Sequence, residues 1–182
     1  MSKTFSALLT LSKQLEEKSA GLALECLHAA TLLENSTDEE KACSNFLLGE
    51  LLLKTAQEPN DAKQFFLASI DASQPSIKSD LSTRHYLLKS FEKLSALLPI
   101  SESIELISNQ LLQHSEDEIL LSKLLFKFIE FFAECGPDRL EQVLSLFSSE
   151  AIENLRKKSE YFDILLTLSK ALVKIKLNLG FY

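Results

Sequence analysis

Apolar residues recur every three or four positions along most of the chain, and short polar or helix-breaking clusters interrupt them at intervals. This is the period of an α-helix, whereas the alternation at every second residue that marks a half-buried strand is missing. The pattern predicts helices over about residues 2–17, 20–34, 38–54, 60–73, 79–98, 101–113, 116–134, 137–147, 151–158 and 159–178. The fold class is therefore predicted to be all-α.

Local signals mark where several of these helices begin and end. A capping box pairs a Ser or Thr with an acid three residues later and satisfies backbone N–H groups that would otherwise lack partners. The possible pairs are Ser36 with Glu39, Thr37 with Glu40, and Ser115 with Glu118. Pro75, Pro99 and the sequence Cys135-Gly136-Pro137 are typical of helix ends. In the helix that follows Pro99, the inward residues are predicted to be Ile104, Ile107 and Leu111.

Small and large residues repeat at a fixed distance in the first half of the chain. Ala62, Phe66 and Ser69 are spaced by four and three, so they share one helix face. Ala23, Leu27 and Ala30 show the same spacing about 39 residues earlier. Gly49 lies in the preceding helix, where it would give the facing helix room to approach.

These features are typical of tetratricopeptide (TPR) helix hairpins. One such hairpin cannot bury both its faces, so it needs neighbours on either side. We therefore expect an α-solenoid of TPR-like antiparallel helix hairpins that forms a right-handed superhelix. No linker is long enough to separate domains, so residues 1–182 are predicted to form a single helical repeat domain.

Composition and charge narrow the function classes. Of the 182 residues, 46% are hydrophobic, which is typical of a globular chain. No apolar run reaches the roughly 18 residues of a membrane span, and the start lacks the three-part signal peptide pattern. Residues 151–182 hold six basic and three acidic residues, a net charge of +3 that leaves −10 for the rest of the total of −7. We expect no direct DNA contact, since that requires positive potential.

No arrangement of residues points to catalysis. The histidines His28, His85 and His114 are scattered, and no Gly-rich phosphate loop occurs. Three separated cysteines favour a reducing compartment over a disulfide framework, and Cys26 and Cys43 fit apolar helix faces as small hydrophobes. We expect no enzyme activity, cofactor, metal or small-molecule substrate.

A repeat array of helix pairs offers a concave groove instead, lined by the first helix of each pair. The residues predicted to face that groove combine apolar and charged side chains. They are Cys43, Phe46, Glu50, Leu53, Arg84, Leu87, Phe91 and Leu94. Phe46, Leu87 and Phe91 could equally pack between helices. The TPR class that clamps a terminal carboxylate is disfavoured, since Phe46 and Glu50 stand where its first Lys and Asn would be.

Residues 8–72 resemble the start of the TPR subunit of the cohesin loader. The similar segments are Leu8-Leu9-Thr10-Leu11-Ser12, Ala23-Leu24-Glu25-Cys26-Leu27-His28-Ala29, Leu47-Leu48-Gly49-Glu50-Leu51-Leu52, Asp61-Ala62-Lys63 and Phe66-Leu67-Ala68-Ser69. Residues after Ala72 share with that family only the helical spacing of apolar residues. In that family a TPR superhelix wraps the extended N-terminal segment of the large HEAT-repeat subunit, and the pair loads cohesin onto chromatin for sister chromatid cohesion.

The resemblance implies a nuclear, chromatin-associated scaffold without catalysis of its own, which contacts cohesin indirectly. Family members are several times longer, so we expect this chain to be the N-terminal part of a longer protein. The alternative is a TPR-like adaptor subunit of another assembly, such as a proteolytic or ubiquitin-ligase complex. An enzyme with an unrecognised helical active site is the third reading.

Overall fold

The computed structural model describes residues 2–55, 59–75 and 81–113, together with residues 120, 122–126, 166 and 170. The helices are α1 (Lys3–Leu15), α2 (Ala20–Thr31), α3 (Asp38–Lys54), α4 (Pro59–Ser73), α5 (Leu81–Leu97) and α6 (Ile100–Gln113). No strand occurs within these described residues, so the prediction of an all-α fold is confirmed there. None of the described helices is long and apolar enough to cross a membrane.

The predicted helix ends agree with the structure to within a few residues. At the start of α3 the Thr37 hydroxyl accepts a hydrogen bond from the backbone N–H of Glu40 (3.2 Å), and the Glu40 carboxylate accepts one from that of Thr37 (3.1 Å). Of the two possible capping boxes there, the structure therefore contains Thr37 with Glu40. The predicted end of α4 at Ser73 is confirmed.

Other predictions concern parts of the chain outside the described residues. They are the Ser115–Glu118 capping box, the Cys135-Gly136-Pro137 helix end, the helices over 137–147 and 151–158, and the side chains of Ile104, Ile107 and Leu111. Residues 120 and 122–126, within the predicted helix 116–134, are helical, as are residues 166 and 170 within the predicted helix 159–178.

The chain divides into two compact units, Met1–Leu97 and Leu98–Tyr182. The first contains α1 to α5, and the second contains α6. The expectation of one repeat domain over the whole chain therefore stays a prediction.

In the first unit each helix packs against the next one along the chain, and α3 also packs against α5. Contact with α2, α4 and α5 explains why α3 is buried around most of its circumference. Its buried residues are Glu40, Ala42, Cys43, Ser44, Phe46, Leu48, Gly49, Leu51 and Leu52. Helix α3 is thus the central element of this unit.

The repeated small–large–small pattern forms the helix contacts that the sequence predicts. Ala23, Leu27 and Ala30 of α2 are all buried, and so are Ala62, Phe66 and Ser69 of α4. A Cβ atom added to Gly49 would lie 2.9 Å from Cε1 of Phe66, too close for a real contact. The predicted role of Gly49 in close helix approach is therefore confirmed.

Two buried hydroxyls join neighbouring helices through hydrogen bonds. The Ser12 hydroxyl of α1 donates to the backbone carbonyl of Ala23 in α2 (3.1 Å). The Ser69 hydroxyl of α4 donates to the carbonyl of Ala42 in α3 (2.8 Å). Small polar residues thus satisfy their own hydrogen bonds while allowing the helices to pack closely.

Candidate partner-binding surface

Helices α1 and α3 run parallel. One polar contact joins their starts and a second joins their ends, and together the two contacts fix the register. At the start of both helices, the backbone N–H of Ser2 donates to the Glu40 carboxylate. At their ends, Nζ of Lys54 lies 2.7 Å from Oε1 of Glu16. Each contact joins residues 38 positions apart. The first helices of two successive pairs therefore lie side by side, with a separation close to the repeat length that the sequence predicts.

Helices α3 and α5 continue this arrangement. The rings of Phe46, at the middle of α3, and Tyr86, in the first half of α5, have centroids 6.0 Å apart. Further along, Nζ of Lys93 lies 2.9 Å from Oε1 of Glu50. These two contacts follow the same order in both helices, so α3 and α5 are also parallel. Helices α1, α3 and α5 thus share one side of the first unit, which we call the odd-helix face.

Ion pairs cross the odd-helix face from one helix to the next. The Glu16–Lys54 side chains are 38% and 63% exposed, and those of Glu50 and Lys93 are 28% and 41% exposed. The hydrogen bond that Lys54 donates to the Glu16 carboxylate raises the pKa of Lys54. Ion pairs this exposed contribute little to stability.

A small recess of about 60 Å³ lies on the same face between α1 and α3. Its lining is apolar at Leu9, Leu47 and Leu51, and charged where Lys13, Glu16, Glu50 and Lys54 surround it.

The eight residues predicted to line the groove do not share one environment. Five of them are buried: Cys43, Phe46, Leu87, Phe91 and Leu94. They lie within the packed first unit, so in this structure they do not line an open groove. For Phe46, Leu87 and Phe91 the packing alternative describes their position. Glu50, Leu53 and Arg84 are half-buried, and their contact with a partner stays a prediction.

Burial also determines the chemistry of Cys43. Loss of solvent raises the pKa of its thiol, and the hydrogen bond from the Tyr86 side chain only partly opposes this shift. A neutral thiol that is 2% exposed is a packing group rather than a nucleophile. Among the residues that the structure describes, no group of three or more His, Cys, Asp or Glu side chains could hold a metal ion.

Glu40 is a buried carboxylate of the first unit, with 1% of its surface exposed. Burial alone would raise the pKa of this carboxyl. The backbone N–H groups of Ser2 and Thr37 donate to it and outweigh that effect, so the pKa is lowered. Glu40 therefore connects the start of α1 to the start of α3. This contact lies at one edge of the odd-helix face.

A second, larger concavity lies between α2, α3 and α4. This apolar groove has a volume of about 430 Å³. It is lined by Leu24, Glu25, His28, Ala29, Leu32, Leu48, Leu52 and Phe65. Sequence reasoning missed it, although Leu24, His28 and Leu32 follow one another at intervals of four. Their face of α2 is different from the one that carries Ala23, Leu27 and Ala30, so α2 is apolar on two sides.

Protein-family models, curated proteins and solved structures give no match to this chain.

Proposed function

We propose that this chain is a non-catalytic scaffold whose odd-helix face binds an extended segment of a partner protein. The observation that carries the proposal is the parallel register of α1, α3 and α5. Contacts between residues 38 apart support it for α1 and α3, and the Phe46–Tyr86 and Glu50–Lys93 contacts support it for α3 and α5. A solenoid of TPR-like antiparallel hairpins, coiled into a right-handed superhelix, would continue this arrangement over the chain.

The partner that fits best is the large HEAT-repeat subunit of the cohesin loader, through its extended N-terminal segment. The resemblance over residues 8–72 supports this choice, and those residues include most of α1 to α4. The complex would act on chromatin in the nucleus. The scaffold would take part in cohesin loading by holding the large subunit, without chemistry of its own.

The segment would contact the side chains that remain accessible on the odd-helix face. Leu53 supplies apolar area, while Glu50 and Arg84 supply charge of both signs. An extended chain could contact successive parallel helices in turn, with backbone groups left free to hydrogen-bond to polar side chains such as these.

Co-expression with the N-terminal segment of the large loader subunit tests the proposal directly. We expect the two chains to copurify at equal molar amounts through size-exclusion chromatography. The combined change of Leu53→Asp with Arg84→Glu should weaken the complex by about tenfold or more, since it removes apolar area and reverses a charge.

Leu67→Asp is the matched control, because Leu67 is an exposed leucine on α4. That variant should copurify as the unchanged chain does. Separate elution of the unchanged chain and the loader segment would overturn the choice of partner. Equal weakening by the control would overturn the choice of face.

A cellular test separates the loader from other assemblies. Depletion of the protein should cause premature separation of sister chromatids. Accumulation of undegraded substrates with normal cohesion would instead indicate an adaptor of a proteolytic or ubiquitin-ligase complex.

A further inference from the structure

We infer that the apolar groove of α2, α3 and α4 is a docking site for an amphipathic helix of a partner protein, with leucine-sized residues on one side and Lys or Arg beside them. This site is separate from the odd-helix face, so the inference does not depend on the proposed function. Three observations carry it: the spacing of the lining residues, their apolar character and the charge around them.

The first observation is the helical spacing of the groove's walls. Leu24, His28 and Leu32 form a ridge along α2 at intervals of four, and Leu48 and Leu52 form a second ridge along α3. Ridges of this spacing accept the ridges of another helix between them. A helix in such a groove is anchored by residues at i, i+3 or i+4, and i+7.

The second observation is that the groove leaves apolar side chains in contact with water, which is energetically unfavourable. Leu32, at the end of α2, is 67% exposed, and Phe65 contributes a half-buried aromatic ring from α4. Its volume of about 430 Å³ is within the range of roughly 300–1,000 Å³ that is typical of ligand sites. Large side chains from a partner would fill it.

The third observation is the charge, which selects between possible occupants. Glu25 lies in the lining, and Asp61 is exposed one turn before Phe65 on the same side of α4. Lys41 is the exposed cation on the corresponding stripe of α3, two turns before Leu48. The acidic side chains therefore flank the apolar floor near the end of α3, where a partner's Lys or Arg would be attracted.

The test uses the full chain and three fluorescein-labelled peptides of about 18 residues, or about five helical turns. The basic peptide carries leucines at i, i+3, i+4 and i+7 with lysines beside them. The acidic peptide replaces those lysines with glutamates. The serine peptide keeps the lysines but replaces the leucines. Fluorescence anisotropy measures binding, and circular dichroism checks that every variant folds.

We expect the basic peptide to bind most tightly. Leu32→Ser should weaken its binding by about tenfold, because it removes an exposed anchor of the groove without disturbing the core. Glu25→Lys should weaken the basic peptide several-fold and strengthen the acidic peptide. The matched controls are Leu81→Ser and Glu17→Lys, which alter an exposed leucine and an exposed acid outside the groove lining. Neither control should change binding.

Several results would overturn the inference. Equal binding of the serine peptide would mean that charge alone holds the ligand, and equal binding of the acidic peptide would mean that the rim does not select basic partners. An equal loss in Leu81→Ser would show that the groove is not the site. Self-association of the chain that Leu32→Ser abolishes and Leu81→Ser retains would identify a second copy as the occupant.

Discussion

At the scale of single residues, the contact between Gly49 and Phe66 depends on the absence of one methyl group. The Phe66 ring is fully buried, so it has little room to move away from an added side chain. Three ring atoms would lie 2.9 to 3.1 Å from a Cβ at position 49. Overpacking of this kind costs about 1–3 kcal/mol. The glycine is thus required by packing, although it weakens the helix that contains it.

We predict that Gly49→Ala lowers the free energy of unfolding by about 1 kcal/mol, because overpacking exceeds the gain in helix propensity. Gly49→Val should lower it further. Equilibrium urea unfolding followed by circular dichroism measures both changes. The control is Gly21→Ala in α2, where an added Cβ would meet nothing within 4 Å. That variant should gain about 0.5–1 kcal/mol. Stabilisation by both alanine substitutions would contradict the packing argument.

We expect the charge of Glu40 to make the stability of the first unit depend on pH. Its carboxylate accepts hydrogen bonds from the N–H groups of Ser2 and Thr37, which favours the charged form and lowers the pKa. A group whose folded pKa is lowered stabilises the protein above its unfolded pKa, about 4.3 for Glu. That contribution is lost as the pH falls through the lower, folded pKa.

We predict that Glu40→Gln lowers the free energy of unfolding at pH 7 by about 1–2 kcal/mol, as expected for a weakened cap and two lost charge-assisted hydrogen bonds. The difference between the variant and the unchanged chain should narrow as the pH falls below about 4. Urea unfolding between pH 3 and 7 measures it. Glu39→Gln, at the neighbouring position in the same turn, should have a smaller effect. A difference that is independent of pH would show that the Glu40 charge has no part in it.

At the scale of helices, α3 explains both what could be predicted from the sequence and what could not. Its start follows from the Thr37–Glu40 capping box, and its contact with α4 follows from Gly49 and the spacing of Phe66. Which of the predicted groove residues are accessible could not be deduced from the sequence, because the sequence does not show how many neighbours a helix has. Contact with four helices, α1 among them, buries Cys43 and Phe46, which the pattern alone could place in a groove or in the core.

The same limit applies to the apolar groove. Ala23, Leu27 and Ala30 identify one face of α2, and a single stripe of this kind is enough to dock a helix. Leu24, His28 and Leu32 form a second stripe, whose histidine makes it look like a solvated face. Only the position of Phe65 and Leu48 beside that stripe shows that it borders a concavity.

Two buried serines of α4 provide a test of how the helices are joined. The Ser69 hydroxyl donates to Ala42 in α3, whereas the Ser73 hydroxyl donates to Ser69 within its own helix (2.8 Å). We predict that Ser69→Ala lowers the free energy of unfolding by about 1 kcal/mol, the net value of an interhelical hydrogen bond. Ser73→Ala should change it by less than about 0.5 kcal/mol, since alanine favours the helix. Thermal or urea unfolding measures both, and equal losses would contradict the interhelical role.

At the scale of the whole molecule, hydrogen bonds and close packing join neighbouring helices within the first unit. They include the hydrogen bonds of Ser12 and Ser69, the contact of Gly49 with Phe66, and the tie between Ser2 and Glu40. In a repeat array, stability is the sum of each repeat and its nearest-neighbour contacts. These contacts between neighbouring helices lead us to expect that α1 to α5 are stable on their own.

We predict that residues 1–97 alone form a helical unit that unfolds cooperatively, and Cys43 provides the reporter. Its thiol is buried and its pKa is raised, so alkylation requires the unit to open. With Cys26→Ser in the fragment, and with Cys26→Ser and Cys135→Ser in the full chain, Cys43 is the remaining thiol. Iodoacetamide should modify it about a hundredfold or more slowly in native buffer than in concentrated urea, in both proteins. Rapid modification in the fragment but not in the full chain would show that residues beyond 97 are needed to close the core around α3.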